Sequence, residues 1–285
     1  MKFWGNEAAM DFLEKAARNE KSAHAYLFTG PSGVGKFLLA KSFANALIAG
    51  TEVRENIGRK EELDCETLFP RSENVRGVVK QRDIAVDDLR QALSRLGLYP
   101  HSGRKRVLII NDAHKLGTGA QNALLKTLEE PSSTAIIILV TYREEKILPT
   151  IHSRCQAVRF TLCRSEELAG EGNKEAADLA LGRPGRFVRL KEDAQYLAEQ
   201  KKLWEDIASI QKASLRDKLA FAERLGADAP QALEALEMWS WMVWSKERNK
   251  EGAYALLGEI EQTRKIISST NANAKLALEA LFIKV

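Results

Sequence analysis

Apolar and polar positions are arranged in two different ways along the chain. In the first half, short unbroken apolar runs are separated by amphipathic stretches. The runs His24–Thr29 (HAYLFT), Val107–Ile110 (VLII) and Ala135–Val140 (AIIILV) have the length and continuous hydrophobicity of strands buried on both faces of a parallel sheet. Between them, Phe37–Ile48 places Leu39, Phe43 and Leu47 at helical spacing, and Gly119–Glu130 has helical composition that stops at Pro131. Strands alternating with helices predict a parallel sheet covered on both sides. Beyond Phe160 the strand-like runs cease, and Gly170, Gly172, Gly182, Pro184 and Gly185 punctuate short helical pieces. From about Gln195 onward the pattern is helical almost throughout. Leu215, Leu219 and Ala222 are expected on one face, Leu233, Leu236, Ser240 and Val243 on another, and Leu276, Leu278 and Leu281 on a third. These changes predict three parts: an α/β domain over 1–160, a small helical domain over 161–198 and an all-α domain over 199–285.

Composition narrows the class without naming a function. The 285 residues are 45% apolar and 29% charged, which is ordinary for a folded globular protein and excludes a disordered chain. The net charge of +4 is mildly basic and does not by itself establish a nucleic-acid surface. The triplet Arg104-Lys105-Arg106 reads as a solvated face beside a strand. Cys65, Cys155 and Cys163 are scattered and odd in number, so neither a disulfide framework nor a metal site is expected. No apolar run reaches the ~18 residues of a membrane span and no signal peptide is visible, so a cytoplasmic protein without membrane partners is expected.

The stretch GPSGVGKF carries the chemistry. Gly30, Pro31, Ser32, Gly33, Val34, Gly35 and Lys36 follow the phosphate-loop pattern, in which backbone N–H groups wrap phosphates at a helix N-terminus and the lysine reaches the outer ones. The strand–loop–helix setting is the required one. The position that should hold a metal-ligating Ser or Thr is Phe37, whose ring is expected to pack under the loop. The acidic half of such a site belongs at the end of a buried strand, and the relevant stretch is VLIINDAHKL. With Ala113 and His114 closing the motif, neutral Asn111 stands where the metal-holding Asp belongs, and Asp112 where the water-orienting Glu belongs. A frame shifted by one residue would make Asp112 the metal ligand, leaving Phe37 unexplained. Two changed groups at the metal argue against efficient hydrolysis, since one preorganised electrostatic group is typically worth about 10²–10³ in rate.

Taken together, HAYLFTGPSGVGK, NDAHKLGTGAQNALLKTLEEPSS, KILPTIHSRCQ, LGRPGRF and NANAKLALEALF resemble the bacterial clamp-loader branch of the AAA+ ATPases, and within it the delta-prime subunits of DNA polymerase III. The resemblance implies an AAA+ nucleotide-binding domain, a small helical lid and a C-terminal helical domain that joins a collar. It implies partnership with delta and gamma/tau subunits in a hetero-pentamer, and through that complex with the sliding clamp and primer–template DNA. It also identifies Ser153-Arg154-Cys155 as the family's trans-acting motif, in which Arg154 reaches the ATP of a neighbouring subunit as an arginine finger. The chain thus keeps the group that serves a neighbour while its own metal positions have changed. The expectation is a subunit without hydrolysis of its own. No cofactor is assigned outright, ATP or ADP held without Mg²⁺ being the form the loop would take. Two alternatives stay open: an active gamma/tau-type ATPase, and a stand-alone DNA-binding AAA+ relic.

The chain departs from the family in several places. The four-cysteine zinc module is absent or shortened, Cys65 being the one cysteine between Ile48 and Pro100. Thr141 stands at the first phosphate-sensing position, but Arg143 occupies a place where Asn is common. In LGRPGRF the lid arginine of motor subunits falls near Gly185, not on Arg183 or Arg186. Among the remaining candidates, Trp239, Trp241 and Trp244 read as core or interface packing rather than base-stacking groups. His114 and His24 read as structural polar residues, and Cys155 as a small apolar group beside Arg154 rather than a nucleophile.

Overall fold

The computed structural model describes every residue except 1–2, 20–21, 76–77, 102–103, 171, 270–272 and 285. The chain divides into two compact units, Met1–Glu171 with Gly182–Arg186, and Gly172–Leu181 with Phe187–Val285.

In the first unit, helix α1 (Glu7–Arg18) follows two left-handed residues, Gly5 and Asn6, and precedes strand β1 (Ala25–Thr29). Helix α2 (Lys36–Ala49), strand β2 (Cys65–Leu68), a hairpin of β3 (Ser72–Val75) and β4 (Val78–Gln81), and helix α3 (Val86–Leu96) come next. They are followed by β5 (Arg106–Ile110), α4 (Thr118–Glu129), β6 (Ala135–Val140), the single turn α5 (Pro149–His152), β7 (Gln156–Arg159) and the short α6 (Ser165–Ala169). The five strands β2-β5-β6-β1-β7 form one parallel sheet in that order, with Tyr26 beside Ile138, Ile109 beside Ile138 and Phe28 beside Val158.

All three apolar runs are strands in this sheet, and their side chains divide by alternation. Tyr26, Phe28, Val107, Ile109, Ile136 and Ile138 pack with α1 and α2 on one face. Leu27, Leu108, Ile110, Ile137 and Leu139 pack with α3 and α4 on the other. Both faces are therefore core, which is why these strands carry no polar stripe. Helix α2 is enclosed almost all round, beyond the single face of Leu39, Phe43 and Leu47. Its buried Ser42 and Asn45 are satisfied by Leu38 O at 2.9 Å and Lys60 O at 2.7 Å.

The second unit is helical. It contains α7 (Lys174–Leu179), most of α8 (Pro184–Glu192), α9 (Ala194–Ile210), α10 (Leu215–Gly226), α11 (Ala229–Met242), a π-helical turn over Val243–Glu247, α12 (Ala253–Ser269) and α13 (Ala274–Lys284). Asn173, Asp193 and Ser214 start their helices by accepting the N–H of Ala176, Tyr196 and Asp217. The core gathers Phe221, Leu225, Leu236, Trp239, Leu278 and Phe282, with Phe282 stacked against Phe221 at 5.6 Å and Trp239 at 5.7 Å.

Two expected faces are corrected here. Leu215 is 57% exposed because it is the first residue of α10, and the buried stripe is Phe221, Ala222 and Leu225. Leu276 is 61% exposed. Two residues along a helix turn it through about 200°, so Leu276 lies opposite Leu278. The buried stripe of α13 is Ala274, Leu278, Leu281 and Phe282. Among the described residues no helix is long and apolar enough to cross a membrane.

Candidate functional site

The glycine loop leaves the end of β1 and enters α2, so the backbone has the phosphate-loop layout. Gly30, Gly33 and Gly35 take φ values of +131°, +75° and +91°. At Gly30 the requirement is double, because a Cβ would also lie 2.2 Å from Phe160 O on the segment that leaves β7. The loop's first glycine is therefore demanded by the sheet as well as by any phosphate. Val34 is fully buried, while Ser32 and Gly33 are open to solvent.

The ammonium of Lys36 is turned back on its own loop. Lys36 is buried, and its Nζ donates to Gly30 O at 2.7 Å and to Pro31 O. Burial first, and the charge of Arg183 second, lower its pKa to about 8, partly offset by the Asp112 carboxylate. The Gly182–Arg186 segment braces the same loop. The guanidinium of Arg183 donates through Nη1 to Ser32 O and, at 2.8 Å, to Ser32 Oγ, while Gly185 N donates to Gly33 O at 3.0 Å. Arg183 had no assigned role in the sequence. Its signal was the GRPG turn, but the partner lies 151 residues away and local spacing could not reveal it.

Phe37 sits in the first turn of α2, half-buried, with its ring edge-on to Phe69 at 5.4 Å. It thus packs sideways toward the residue following β2, not under the loop as expected. Asn111 and Asp112 follow β5. Asp112 takes a left-handed φ of +52° at the start of a 3₁₀ turn, and Asn111 Nδ2 lies 3.5 Å from its Oδ2. Burial raises the Asp112 carboxyl pKa, against the opposing pull of Lys36 and Lys115. The fold therefore brings Lys36 and Asp112 into one electrostatic neighbourhood. The apolar ring of Phe37 offers Mg²⁺ no ligand atom, and the amide of Asn111 offers an oxygen without the negative charge of a carboxylate. Among the described residues there is no group of three or more His, Cys, Asp or Glu arranged to hold a metal.

Thr141, just past β6, is buried. Its Oγ1 accepts from Arg143 N at 3.0 Å and lies 3.2 Å from His114 Nδ1. The imidazole is buried edge-on to Tyr142 at 4.3 Å, and its Nε2 has no hydrogen-bond partner among the described residues. Burial, reinforced by Arg143 and Lys115, lowers the His114 pKa to about 4, so the ring is neutral at pH 7. His24 Nε2 lies 3.1 Å from Leu128 O and ties β1 to α4.

The Ser153-Arg154-Cys155 triplet divides its work. Ser153 Oγ donates to Thr150 O at 3.1 Å, closing the end of α5. Cys155 points toward the α3/α4 core, where burial pushes its thiol up to about 12, far from a reactive thiolate. Arg154 is left partly exposed. Its Nη1 donates to Thr150 O at 3.0 Å and Ser153 Oγ at 3.3 Å, and its Nη2 to Glu129 Oε1 at 2.8 Å. Glu129 lies 25 residues before Arg154 in the chain, so local spacing does not reveal the pair. Trp239 is core, whereas Trp241 and Trp244 pair at 5.7 Å with Trp244 half-exposed.

A parallel sheet with a phosphate loop after β1 and helices on both faces defines an α/β domain of the AAA+ kind. The sequence profile described as "DNA polymerase III, delta subunit" matches residues 5–163, and the chain belongs to this family, the clamp-loader subunits of DNA polymerase III. It is 33% identical over 222 residues to DNA polymerase III subunit tau of Bacillus subtilis, covering 77% of this chain and 36% of that protein. It is 34% identical over 158 residues to subunit delta' of the same organism, covering 53% and 46%. It is 32% identical over 137 residues to subunit delta' of Pseudomonas aeruginosa, covering 47% and 42%. The matched regions are thus under half the length of these relatives. The crystal structure of a DNA polymerase III gamma subunit-related protein from Thermotoga maritima shares the fold, with a TM-score of 0.50 at 17% identity over 95% of this chain and 97% of that one.

Proposed function

We propose that the chain is a delta-prime-type subunit of the DNA polymerase III clamp loader that does not hydrolyse ATP and donates Arg154 to the ATP site of a neighbouring subunit. The observation that carries this reading is a contrast within one unit. Arg154 stands partly exposed on the turn after α5, while Lys36 is buried on the carbonyls of its own loop, within the electrostatic reach of Asp112. In this reading residues 1–160 are the AAA+ domain, 161–198 the lid and 199–285 the collar domain. The partners are delta and gamma/tau subunits in a hetero-pentamer that places the sliding clamp on primer–template DNA in the cytoplasm. Arg154 offers a planar, permanently charged fork to the transferring phosphoryl group, where an arginine finger stabilises the charge of the transition state.

A nucleotide held here would rest its phosphates on the N–H groups of Gly30 to Lys36 and on Lys36 itself, without a metal. To bind, it would have to displace Gly30 O and Pro31 O from the ammonium. Thr141 would be its sensing hydroxyl. Titration of the purified chain with ATP and ADP, with and without Mg²⁺, tests this. The expected result is either no binding or binding indifferent to Mg²⁺, together with no turnover. A Mg²⁺-dependent ATPase rate abolished by Lys36→Ala would overturn the reading in favour of a gamma/tau-type motor. One observation favours that second reading: the similarity to a tau subunit extends over 77% of this chain, against 53% for delta' of the same organism.

A further inference from the structure

Arg154 is not simply a long side chain on an exposed turn. Two helices hold it. Thr150 O of helix α5 and the Oγ of Ser153 just after it accept from Nη1, and the last residue of α4, Glu129, accepts at Oε1 from Nη2. Helix α4 is itself fixed to the approach to α5. Buried Gln121 donates through Nε2 to Leu116 O and Lys146 O, both at 3.0 Å, and accepts Leu148 N at 2.8 Å. The two helices therefore form one frame, and the guanidinium is clamped across it. The cation also lies beside the C-terminal end of α4, where unpaired carbonyls favour positive charge.

We propose that Glu129 is a positioning residue for Arg154: it holds the guanidinium extended in the direction a neighbouring subunit's ATP requires. The proposal rests on the trans-arginine reading above. Glu129 engages one guanidinium nitrogen through one carboxylate oxygen. The Nε hydrogen is outside these bonds, so an edge of the fork stays available to an incoming phosphate. An arginine has many rotamers, and restricting them before the neighbour docks removes an ordering cost from the reactive geometry. The pair adds little to folding, because Arg154 and Glu129 are 37% and 52% exposed and such pairs are worth little in water. Its use is orientation.

The test uses a reconstituted clamp-loader complex in which only the ATP site facing this chain retains its loop lysine. Steady-state ATPase is measured for wild type, Glu129→Gln, Arg154→Ala and the double variant. Glu129→Gln keeps the shape and removes the charge. It should lower kcat about three- to fivefold, the ceiling for an exposed charge pair, with KM for ATP changed less than twofold. In the Arg154→Ala background it should add no further loss, since the carboxylate then has nothing to orient. Independently, in the isolated chain, the ¹⁵N–¹H guanidinium signals of Arg154 should show slow rotation that becomes fast in Glu129→Gln. If Arg154→Ala is slow but Glu129→Gln runs at the wild-type rate, the positioning role is wrong and the trans reading stands. A faster Glu129→Gln complex, or an equal loss in both backgrounds, also overturns the positioning role. If Arg154→Ala itself runs at the wild-type rate, the underlying trans reading fails instead.

Discussion

The phosphate loop and the Arg154 turn belong to the same unit, yet their cations are used in opposite ways. At the loop, Lys36 is buried and bonded to Gly30 O and Pro31 O, and Arg183 closes over Ser32. At the turn, Arg154 is braced from beneath and left partly open to solvent. In the proposed reading, the loop keeps its motif without the chemistry because the fold needs it for another reason. Gly30 is required by the approach of Phe160 O, and Lys36 now joins the two ends of the loop. Glycines and a lysine in the right order therefore testify to a backbone shape. The metal positions testify to turnover, and in the proposed reading they are Phe37 and Asn111.

The largest effect expected from this difference is on activity. On the proposed trans reading, Arg154→Ala should reduce hydrolysis at the neighbouring site by about 10² or more, because an arginine finger stabilises charge that appears in the transition state. The same substitution should shift the chain's melting temperature by less than about 1 °C, as its ion pair is exposed. Lys36→Ala should instead leave the complex's ATPase within about twofold. Equal losses of ATPase from both substitutions would erase the comparison.

Next in size is the structural demand on the loop. Gly30→Ala combines a φ of +131° with a Cβ placed 2.2 Å from Phe160 O, so it should cost about 3 kcal/mol or more. Amide hydrogen exchange of β1 is the measurement, because it reports this unit separately from the helical one. Exchange unchanged from wild type would mean that the β7 side of the sheet yields easily, and that the loop's first glycine is not structural.

Sequence pattern reached the central strands and fell short at the edges, for a physical reason. β1, β5 and β6 lie inside the sheet with both faces covered, so they appear as unbroken apolar runs. β2 (CETL) and β7 (QAVR) are the outer strands and are partly exposed, so their polar residues conceal them. The candidate site divides similarly. Positions within one motif, such as Lys36, Phe37, Asn111 and Arg154, could be picked out as candidates because spacing defines them. Partners supplied by distant segments, Arg183 for Ser32 and Glu129 for Arg154, depend on tertiary approach and carry no local signature.

His114 offers a smaller test on the loop side of the comparison. The unfolded chain takes up this proton near pH 6.5, whereas the folded chain takes it up only near pH 4. Across that window the unfolded state binds more protons, so acidification favours unfolding and stability rises with pH. Between pH 7 and pH 5 the wild type should lose about 1–2 kcal/mol more than His114→Asn, which keeps a polar group opposite Thr141 without a titrating ring. Above pH 7 the two proteins should show parallel pH dependence. Equal acid sensitivity would place the imidazole in a more solvated setting than its burial implies.

The smallest effect concerns the position that the motif reserves for a metal-ligating hydroxyl. Phe37→Thr returns a hydroxyl to the first turn of α2 and removes the edge-on contact with Phe69 at 5.4 Å. The lost ring contact should cost about 1 kcal/mol, since both rings are only partly buried. No Mg²⁺-dependent nucleotide binding should follow, because one neutral hydroxyl cannot replace the charge missing at Asn111. Only Phe37→Thr combined with Asn111→Asp restores a carboxylate and a hydroxyl together. Even then Lys36 must exchange Gly30 O and Pro31 O for phosphate oxygens. Mg²⁺-dependent binding from Phe37→Thr alone would show that Asp112 already serves as the metal ligand, and the loop would then be one substitution, not two, from a working site.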